Sequence, residues 1–277
     1  MMKYNICIIA PSGYIHHRAF DELSQLIHYS LLEIGFDSIV QQNKAESDRR
    51  NIVLGFHLLD LKYLHQLPPN TILLNTEQIA DQNGPWNNVI IHWAKYFEMW
   101  DYSPLNISRF QDLGISDVRL LRIGYQKELE KIPKAITQDI DVLFYGSINE
   151  RRQKILEELR DSHLNVKSVF GVYGDERDEL IARSKVVLNL HYYHSKIFEI
   201  VRIFYLLINS KAVVAEIGNG TFKDEICSAG VFAAGYNELT EACISLVKDS
   251  SLRSKQELSA LNSIKKFPQK NFTEAIL

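Results

Sequence analysis

Gly146 and Ser147 follow an apolar run, and three basic residues come soon after them, Arg151, Arg152 and Lys154. A glycine at the end of a strand lets a ligand approach the backbone, and a helix that starts there offers free N–H groups to a phosphate. Arginines in its first turn would neutralise a diphosphate through bidentate hydrogen bonds. The alternative is an ordinary solvated helix start, since no G-x-G-x-x-G fingerprint is present.

A second group of polar residues, His191, Lys196 and Glu199, follows the apolar run 186–190. Glu199 lies among apolar residues, where an unpartnered carboxylate is costly to bury. One interpretation is that it binds a ribose through the sugar hydroxyls. The other is that it pairs with Arg202, which shares its helix face three residues further on.

Two adjacent histidines, His16 and His17, come after the loop residues Ser12, Gly13 and Tyr14. Neighbours in sequence rarely point the same way, and no carboxylate cluster accompanies them, so we expect no metal site here. One imidazole could serve as a general base, because the pKa of histidine lies near neutrality. Exposed imidazoles at a helix start fit the pattern equally well.

Asn75 and Glu77 stand at the end of another apolar run, where they would face a ligand or cap the next segment. Several aromatic residues come soon after them along the chain. These side chains could stack on a sugar ring, although packing in a core is commoner for such residues. They are Trp86, Trp93, Trp100 and Tyr102.

Strand and helix patterns alternate along almost the whole chain. We expect strands at 4–10, 38–41, 52–56, 71–75 and 118–122, and helices at 18–33, 59–67 and 87–97. Gly35 supplies the stop signal of the first helix. After a polar linker at 126–139, strands are expected at 140–145, 166–169, 186–190, 212–216 and 230–233. Helices at 150–161, 176–184 and 197–209, and a helical C-terminal region, complete the pattern.

This alternation implies parallel sheets joined by crossover helices. We therefore predict an α/β protein of two Rossmann-like domains facing a cleft. The first would span residues 1–130 and the second residues 131–277. In open parallel sheets ligands bind at the carboxyl ends of the strands, which is where all four groups of polar residues lie.

The composition agrees with a two-domain globular protein of 277 residues, 46% of them hydrophobic and 23% charged. A net charge of -3 gives no general attraction to nucleic acid, so we expect no nucleic-acid partner.

The three cysteines have neither the spacing of metal ligands nor that of a disulfide framework; they are Cys7, Cys227 and Cys243. Without a signal peptide or spanning segment, we expect a cytoplasmic protein.

The segment 140–216 resembles the donor domain of GT-B glycosyltransferases. The likeness is carried by Asp141–Ser147 with the basic residues behind it, and by Glu199 on a helix that leads to Ala212–Glu216. His191 stands where a second glutamate of that family usually lies. In the first half, three segments resemble a bacterial subgroup, the family 1-like (group 1-like) glycosyltransferases: Leu73–Gln78, Trp100–Ser103 and Ile123–Tyr125.

The resemblance implies a metal-independent, retaining transfer from a nucleotide-sugar, which is a substrate, so that no cofactor is needed. It makes 1–130 the acceptor-side domain and 131–277 the donor domain, with Glu199 at the ribose. It suggests an acceptor that is a glycan, a lipid-linked molecule or a protein, in bacterial glycan synthesis. Candidate catalytic residues are His16, His17 and His191. Donor-binding candidates are Gly146, Ser147, Arg151, Arg152, Lys154, His191, Lys196 and Glu199. Acceptor-side candidates are Ser12, Gly13, Tyr14, Asn75 and Glu77.

Two other functions remain open from the sequence. A sugar-nucleotide epimerase of the same architecture would need a similar donor site, and a non-catalytic protein would bind the nucleotide-sugar, or another ligand, without turnover. The sequence leaves the donor sugar, the base, the acceptor and the oligomeric state undetermined.

Overall fold

The chain folds into two units, each built on a parallel β-sheet. The computed structural model describes residues 2–79, 84–193, 196–218, 221 and 230–277. The first unit comprises Met1–Gln126 and Pro268–Leu277, and the second comprises Lys127–Phe267. The prediction of an α/β protein with a parallel sheet in each half is confirmed. Cys227 lies outside the described residues.

The first unit contains a sheet with helices between its strands. Its strands are β1 (Lys3–Ile8), β2 (Asp37–Gln42), β3 (Arg50–Leu54), β4 (Ile72–Asn75), β5 (Glu98–Asp101) and β6 (Val118–Leu120). Its first helices are α1 (Asp21–Ile34), α2 (Asn87–Trp93) and α3 (Pro104–Asp112). The strand order is β2-β1-β3-β4-β5-β6, and all neighbouring strands are parallel.

Helix α1 forms and ends for local reasons that the sequence shows. Leu23, Ile27 and Leu31 recur on one face and are buried. Gly35 ends the helix with a φ of +101°, and its N–H donates to the carbonyls of Leu31 and Leu32. This left-handed conformation favours glycine, as the stop signal predicts.

Two predicted helices of the first unit differ from the structure. The pattern at 59–67 forms a 3₁₀ helix, Leu61–Gln66, and the pattern at 87–97 ends at Trp93. The chain then enters β5, which the sequence did not reveal because only two of its four residues, Met99 and Trp100, are apolar and it follows directly on a helical pattern. Trp93, Trp100 and Tyr102 are core residues, whereas Trp86 is half-buried.

The second unit repeats the architecture. Its strands are β7 (Ile140–Tyr145), β8 (Val166–Val169), β9 (Ser184–Asn189), β10 (Val213–Glu216) and β11 (Phe232–Ala234). Its helices include α4 (Glu150–Asp161), α5 (Gly174–Arg183), α6 (Ile200–Ile208), α7 (Leu239–Lys248) and α8 (Ser250–Lys265). The parallel strands lie in the order β11-β10-β9-β7-β8, and all of them were predicted from the sequence. In the part of the chain that is described, no helix is long and apolar enough to cross a membrane.

The last helix, α9 (Gln269–Ile276), belongs to the first unit although it follows the second in sequence. The buried Gln269 accepts a hydrogen bond from Gly124 N at 2.6 Å, and Thr273 shares one with Ser30 at 2.8 Å. The predicted boundary at 130/131 lies close to the observed division, but the prediction carried the second domain through to residue 277. Two of the three side chains that α9 buries, Gln269 and Thr273, are polar, and an apolar pattern along the sequence does not show which unit a helix contacts.

Each sheet has a switch point, where the order of the strands reverses. Strand β1 lies between β2 and β3, and β7 lies between β8 and β9. At such a point the loops leaving the carboxyl ends of the strands diverge and open a crevice for a ligand. The loops at the switch points therefore follow β1 and β3 in the first unit and β7 and β9 in the second, and the loops after β4 and β10 lie on the strands next to them.

The loop after β4 is held by a buried carboxylate at the end of β5. Asp101 is inaccessible to solvent and accepts hydrogen bonds from Asn75 Nδ2 and Ser103 N, both at 2.7 Å, and from Asn106 Nδ2 at 3.1 Å. Asn106 also donates to the carbonyl of Glu77 at 2.8 Å. Burial raises the pKa of Asp101 to about 7, although these donors oppose the rise.

We expect Asp101→Ala to lower the free energy of unfolding by about 3 kcal/mol, because the buried donors of Asn75, Ser103 and Asn106 lose their acceptor. Asp112→Ala removes an exposed carboxylate from α3 and is the matched control, with an expected change within about 0.5 kcal/mol. Urea denaturation of the two variants measures the difference. Equal stabilities would show that the Asp101 network contributes little.

The same carboxylate predicts a pH dependence. Its pKa in the folded protein, about 7, lies above its ordinary value of 3.8, so the folded protein binds this proton more tightly than the unfolded chain. The contribution of Asp101 to stability is therefore greatest near pH 4 and declines as the pH rises through 7. Between pH 5 and pH 8 the unmodified protein should lose more stability than Asp101→Ala, and equal slopes would contradict the raised pKa.

Candidate functional site

Charged side chains converge at the carboxyl ends of β7, β9 and β10 in the second unit. We call this group the switch-point cluster. It joins the loop after β7 and the start of α4 to the loop after β9, the start of α6 and the last residue of β10. Its members are Gly146, Arg151, Arg152, His191, Glu199, Arg202 and Glu216.

Gly146 allows two guanidinium groups to approach the backbone. A Cβ atom on this residue would lie 2.8 Å from Arg202 Nη1 and 3.5 Å from Arg152 Nη1, and its φ is +147°. Arg202 Nη1 also donates to the carbonyl of Tyr145 at 2.7 Å. A side chain at position 146 would therefore displace Arg202.

Arg152 is a buried anchor of the cluster, with only 2% of its surface exposed. Its Nη1 donates to the carbonyl of Ser147 at 2.9 Å and its Nη2 donates to the carbonyl of Leu190, so it ties the loop after β7 to the loop after β9. Its guanidinium lies over the rings of Phe144 and Tyr192. The sequence analysis predicted that Arg152 contacts a diphosphate. In the structure its hydrogen bonds go to the backbone carbonyls of the two loops, so its first role is to hold these loops together.

Glu199 lies between two arginines just before α6 begins. Its carboxylate oxygens are 3.5 Å from Arg152 Nη2 and 3.3 Å from Arg202 Nε, and Asn189 Nδ2 donates to it at 3.2 Å. Burial alone would raise the pKa of this carboxyl, but the two guanidinium groups outweigh it and lower the pKa. The predicted alternative that Glu199 pairs with Arg202 is therefore confirmed.

Arg151 forms a second ion pair, with the buried Glu216 at the end of β10. Arg151 Nη1 lies 2.7 Å from Glu216 Oε2, and Nη2 donates to Oε1, so the pair is bidentate. The guanidinium lies 4.0 Å from the centre of the Tyr236 ring. Glu216 also accepts a hydrogen bond from His191 N at 3.1 Å, which fixes the loop after β9.

The His191 side chain is 99% buried, and neither ring nitrogen has a hydrogen-bond partner among the described residues. Burial lowers the pKa of this imidazole, although Glu216 and Glu199 lie close enough to oppose the effect. The ring is therefore neutral near pH 7. It can donate one hydrogen bond and accept another, and a buried polar group of this kind calls for a partner.

Three other donor-binding candidates lie apart from these contacts. Lys154 is exposed on α4, one turn beyond the arginines. Ser147 is exposed and takes part through its carbonyl, which accepts from Arg152. Lys196 lies in the loop before α6 with a φ of +49°. Their roles in donor binding stay predictions.

The switch-point cluster carries a surplus of positive charge. Its three arginines face two carboxylates, Glu199 and Glu216, which leaves one net positive charge. Arg202 and Arg151 remain 37% and 29% exposed, so their guanidinium groups are accessible to a ligand. Such an arrangement attracts an anion to a protein whose overall charge is negative.

The histidine loop of the first unit follows β1. Gly13 has a φ of +76°, and Ser12, Gly13 and Tyr14 are exposed. His17 Nδ1 lies 2.6 Å from the carbonyl of Tyr14, and the His16 ring lies 5.3 Å from the Tyr14 ring. Both histidines belong to a short 3₁₀ helix of the first unit, Ile15–Phe20.

A histidine that the sequence analysis missed, His57, lies at the same sheet edge of the first unit as Glu77. Its Nε2 is 3.8 Å from Glu77 Oε1, and its ring centre is 5.0 Å from that of Trp86. Burial lowers the pKa of His57 to about 4. Its position just beyond the end of β3, two residues after Gly55, is the signal that would have identified it. Asn75 holds the loop through Asp101 and donates to Glu77 O at 2.9 Å.

Metal ligands do not gather at either site in the described part of the chain. No group of three or more His, Cys, Asp or Glu side chains there is arranged to hold an ion.

Comparison with known sequences identifies relatives of unknown function. No model of a known protein family matches the chain. Uncharacterized protein L140 of Acanthamoeba polyphaga mimivirus is 34% identical over 142 residues, which are 49% of this chain and 44% of that protein. Uncharacterized protein L138 of the same virus is 30% identical over 50% of this chain and 16% of that protein. The chain thus spans less than half the length of the curated relatives it matches.

Comparison with solved structures identifies the fold. The DNA modifying enzyme beta-glucosyltransferase, studied with uridine diphosphoglucose, has a TM-score of 0.61 at 11% identity over 99% of this chain and 98% of its own. Anabaena HepE, bound to UDP and glucose, has a TM-score of 0.63 at 12% identity over 100% and 98%. WaaG, a glycosyltransferase of lipopolysaccharide biosynthesis, has a TM-score of 0.59 at 12% identity over 98% of each chain. The chain has the fold of GT-B glycosyltransferases.

We expect Arg151→Ala to lower the free energy of unfolding by about 3 kcal/mol, because it leaves the Glu216 carboxylate buried without its ion-pair partner. The double variant Arg151→Ala/Glu216→Ala should cost less than the sum of the single variants, with a coupling of about 1.5–3 kcal/mol. Lys154→Ala, an exposed cation on the same helix, is the control. Additive costs in chemical denaturation would show that the two side chains do not interact.

Proposed function

We propose that this protein transfers a glycosyl group from a nucleoside-diphosphate sugar to an acceptor hydroxyl. The observation that carries the proposal is the switch-point cluster, where a net positive charge meets the carboxyl ends of parallel strands. The fold supports it, because solved proteins of this fold include glycosyltransferases with bound UDP and sugar. The viral relatives are uncharacterized, so the predicted link to bacterial glycan synthesis stays a prediction.

The donor would bind at the second unit, with its diphosphate against the exposed edges of Arg202 and Arg151. The backbone of Gly146 and Ser147 at the approach to α4 would lie beside it. Arg152 is buried, and its role would be to keep the loops after β7 and β9 together. Glu199 already holds two arginines, and its remaining lone pairs would accept the ribose hydroxyls.

Transfer breaks the bond between the sugar C1 and the diphosphate oxygen and forms a bond from C1 to the acceptor oxygen. Positive charge develops on the sugar ring and negative charge on the leaving diphosphate, which leaves with the bonding electron pair. The guanidinium groups would stabilise that negative charge as it develops. His191, neutral and without a described partner, would hydrogen-bond to the sugar or the phosphate. We propose retention of configuration, which the resemblance to retaining enzymes supports.

The acceptor would bind at the loops of the first unit, through Ser12, Gly13, Tyr14, Asn75 and Glu77, with His16 or His17 nearby as a general base. The proteins that share the fold include a DNA modifying enzyme and an enzyme of lipopolysaccharide biosynthesis. The fold is therefore compatible with several acceptor classes. We propose that the acceptor is a glycan, a lipid-linked molecule or a protein rather than nucleic acid. A transfer assay should include duplex DNA, because transfer to DNA would contradict this part of the proposal.

The donor site is tested by calorimetric titration with UDP, GDP, CMP, dTDP and their sugars. One nucleotide should bind, and Arg202→Ala should raise its Kd by about 10- to 100-fold, because a hydrogen bond to a charged group is lost. Lys255→Ala, which removes an exposed cation from α8 of the same unit, should leave the Kd within about twofold. Both variants should keep the thermal stability of the unmodified protein to within a few degrees.

If none of the nucleotides binds, the proposed function is wrong. Equal losses in the two variants would show attraction by general charge rather than by a built site. Release of free sugar or a changed sugar without any acceptor, followed by NMR, would indicate hydrolysis or epimerisation. The anomeric coupling constant in the transferred product decides between retention and inversion.

We further propose that transfer requires no metal ion. The three arginines of the cluster can supply the positive charge that a divalent ion provides in other phosphate sites. Transfer measured in EDTA should therefore keep its rate to within about twofold of that measured with added Mg²⁺ or Mn²⁺. A rate that collapses in EDTA and returns with Mn²⁺ alone would contradict this part of the proposal.

A further inference from the structure

A pocket of about 350 Å³ lies at the edge of the first sheet opposite the acceptor loops. We call it the strand-entry pocket, because the segments that lead into β3, β4, β5 and β6 form it. Its volume lies at the lower end of the range of about 300–1,000 Å³ typical of small-molecule sites. Its lining includes Arg50, Asn70, Thr71, Lys95, Tyr96 and Asp117.

Backbone hydrogen bonds fix the walls of the strand-entry pocket. Thr71 N donates to Pro68 O at 3.0 Å just before β4, and Met99 N donates to Asp117 O at 3.1 Å between β5 and the approach to β6. Each wall is therefore anchored to the sheet, and the pocket is formed before a ligand arrives, as small-molecule sites usually are.

The charges of the strand-entry pocket cancel. Arg50 and Glu98 form a pair at 2.5 Å, and Trp100 Nε1 donates to Glu98 at 2.9 Å. Lys95 and Asp117 are exposed side chains of opposite sign. The two cations and two anions that line the pocket leave no net charge within the lining, unlike the switch-point cluster, although Arg119, outside the lining, also lies 3.5 Å from Glu98. The pocket therefore offers many donors and acceptors without favouring an ion.

Tyr96 adds a flat apolar surface to these polar groups. Its side chain is 56% exposed, and its ring lies 5.4 Å from that of His92. The buried hydroxyl of Thr71, another lining residue, has no hydrogen-bond partner in the described part of the chain. A sugar ring has an apolar C–H face for an aromatic ring and hydroxyl groups that both donate and accept.

We propose that the strand-entry pocket binds a neutral saccharide of one or two rings, with one sugar face on Tyr96 and its hydroxyls on Asn70, Lys95 and Asp117. This is a second carbohydrate site, separate from the acceptor loops because it lies at the other ends of the same strands. It does not depend on the transfer reaction, since no residue of the switch-point cluster takes part.

The test is an NMR titration of the isotope-labelled full chain with methyl α-glucoside, methyl β-galactoside, methyl N-acetyl-β-glucosaminide and maltose, each to about 20 mM. At least one of them should shift the amide signals of Asn70, Thr71, Lys95, Tyr96 and Asp117. Tyr96→Ala should raise the Kd about tenfold because the stacking surface is lost, whereas Tyr96→Phe should leave it within about twofold.

Three results would overturn the proposal: no shift with any of these sugars, shifts confined to other parts of the chain, or equal affinity of Tyr96→Ala and the unmodified protein. Because Tyr96 is exposed, we expect the Tyr96→Ala variant to fold like the unmodified protein. Arg202→Ala keeps the two proposals apart. It should weaken nucleotide binding and leave the saccharide shifts unchanged, so either site can fail without the other.

Discussion

Charges that leave water must be paired, and this constraint organises the candidate donor site. Arg152 and Glu199 are almost inaccessible, and each buried ion loses several kcal/mol of hydration. Arg152 recovers interactions from two backbone carbonyls, and Glu199 recovers them from two arginines and Asn189. The guanidinium of Arg202 can reach this group only because Gly146 has no side chain. These ionic and polar contacts thus tie the loops after β7 and β9 to each other.

The same contacts explain why the cluster suits a phosphate ligand. Carboxylates neutralise part of the arginine charge, which allows three guanidinium groups to lie close together without strong mutual repulsion. One positive charge is left over, and it lies at the switch point of the sheet, where the divergent loops give a ligand access. The neutral His191 adds a hydrogen-bonding group without changing that balance. The order of the strands determines where the loops lie, and the ion pairs between three arginines and two carboxylates determine the net charge of the cluster.

Most of the fold could be predicted from the sequence because parallel strands buried on both faces leave continuous apolar runs. All strands of the second unit and most of those of the first were predicted, although β8 is only partly buried and shows no such run. Strand β5 was missed because it is short and follows directly on a helical pattern. Helix α9 was assigned to the second unit because a helical pattern does not show which unit it contacts, and its hydrogen bonds to the first unit, through Gln269 and Thr273, join distant positions. His57 was missed because the strand before it was expected to continue to residue 56, whereas β3 ends at Leu54 and the loop begins there.

The sequence by itself determined the order of the elements, the α/β class and the strand ends at which charged residues occur, because these depend on patterns within a few neighbouring residues. Only the tertiary structure decided what each charged residue does. Arg151 and Glu216 are 65 positions apart, yet they form a bidentate pair, while Arg152 turns inward and Lys154 outward from the same helix. Pairing and burial depend on contacts between distant segments, and those contacts exist only once the sheet has brought the loops after β7, β9 and β10 together.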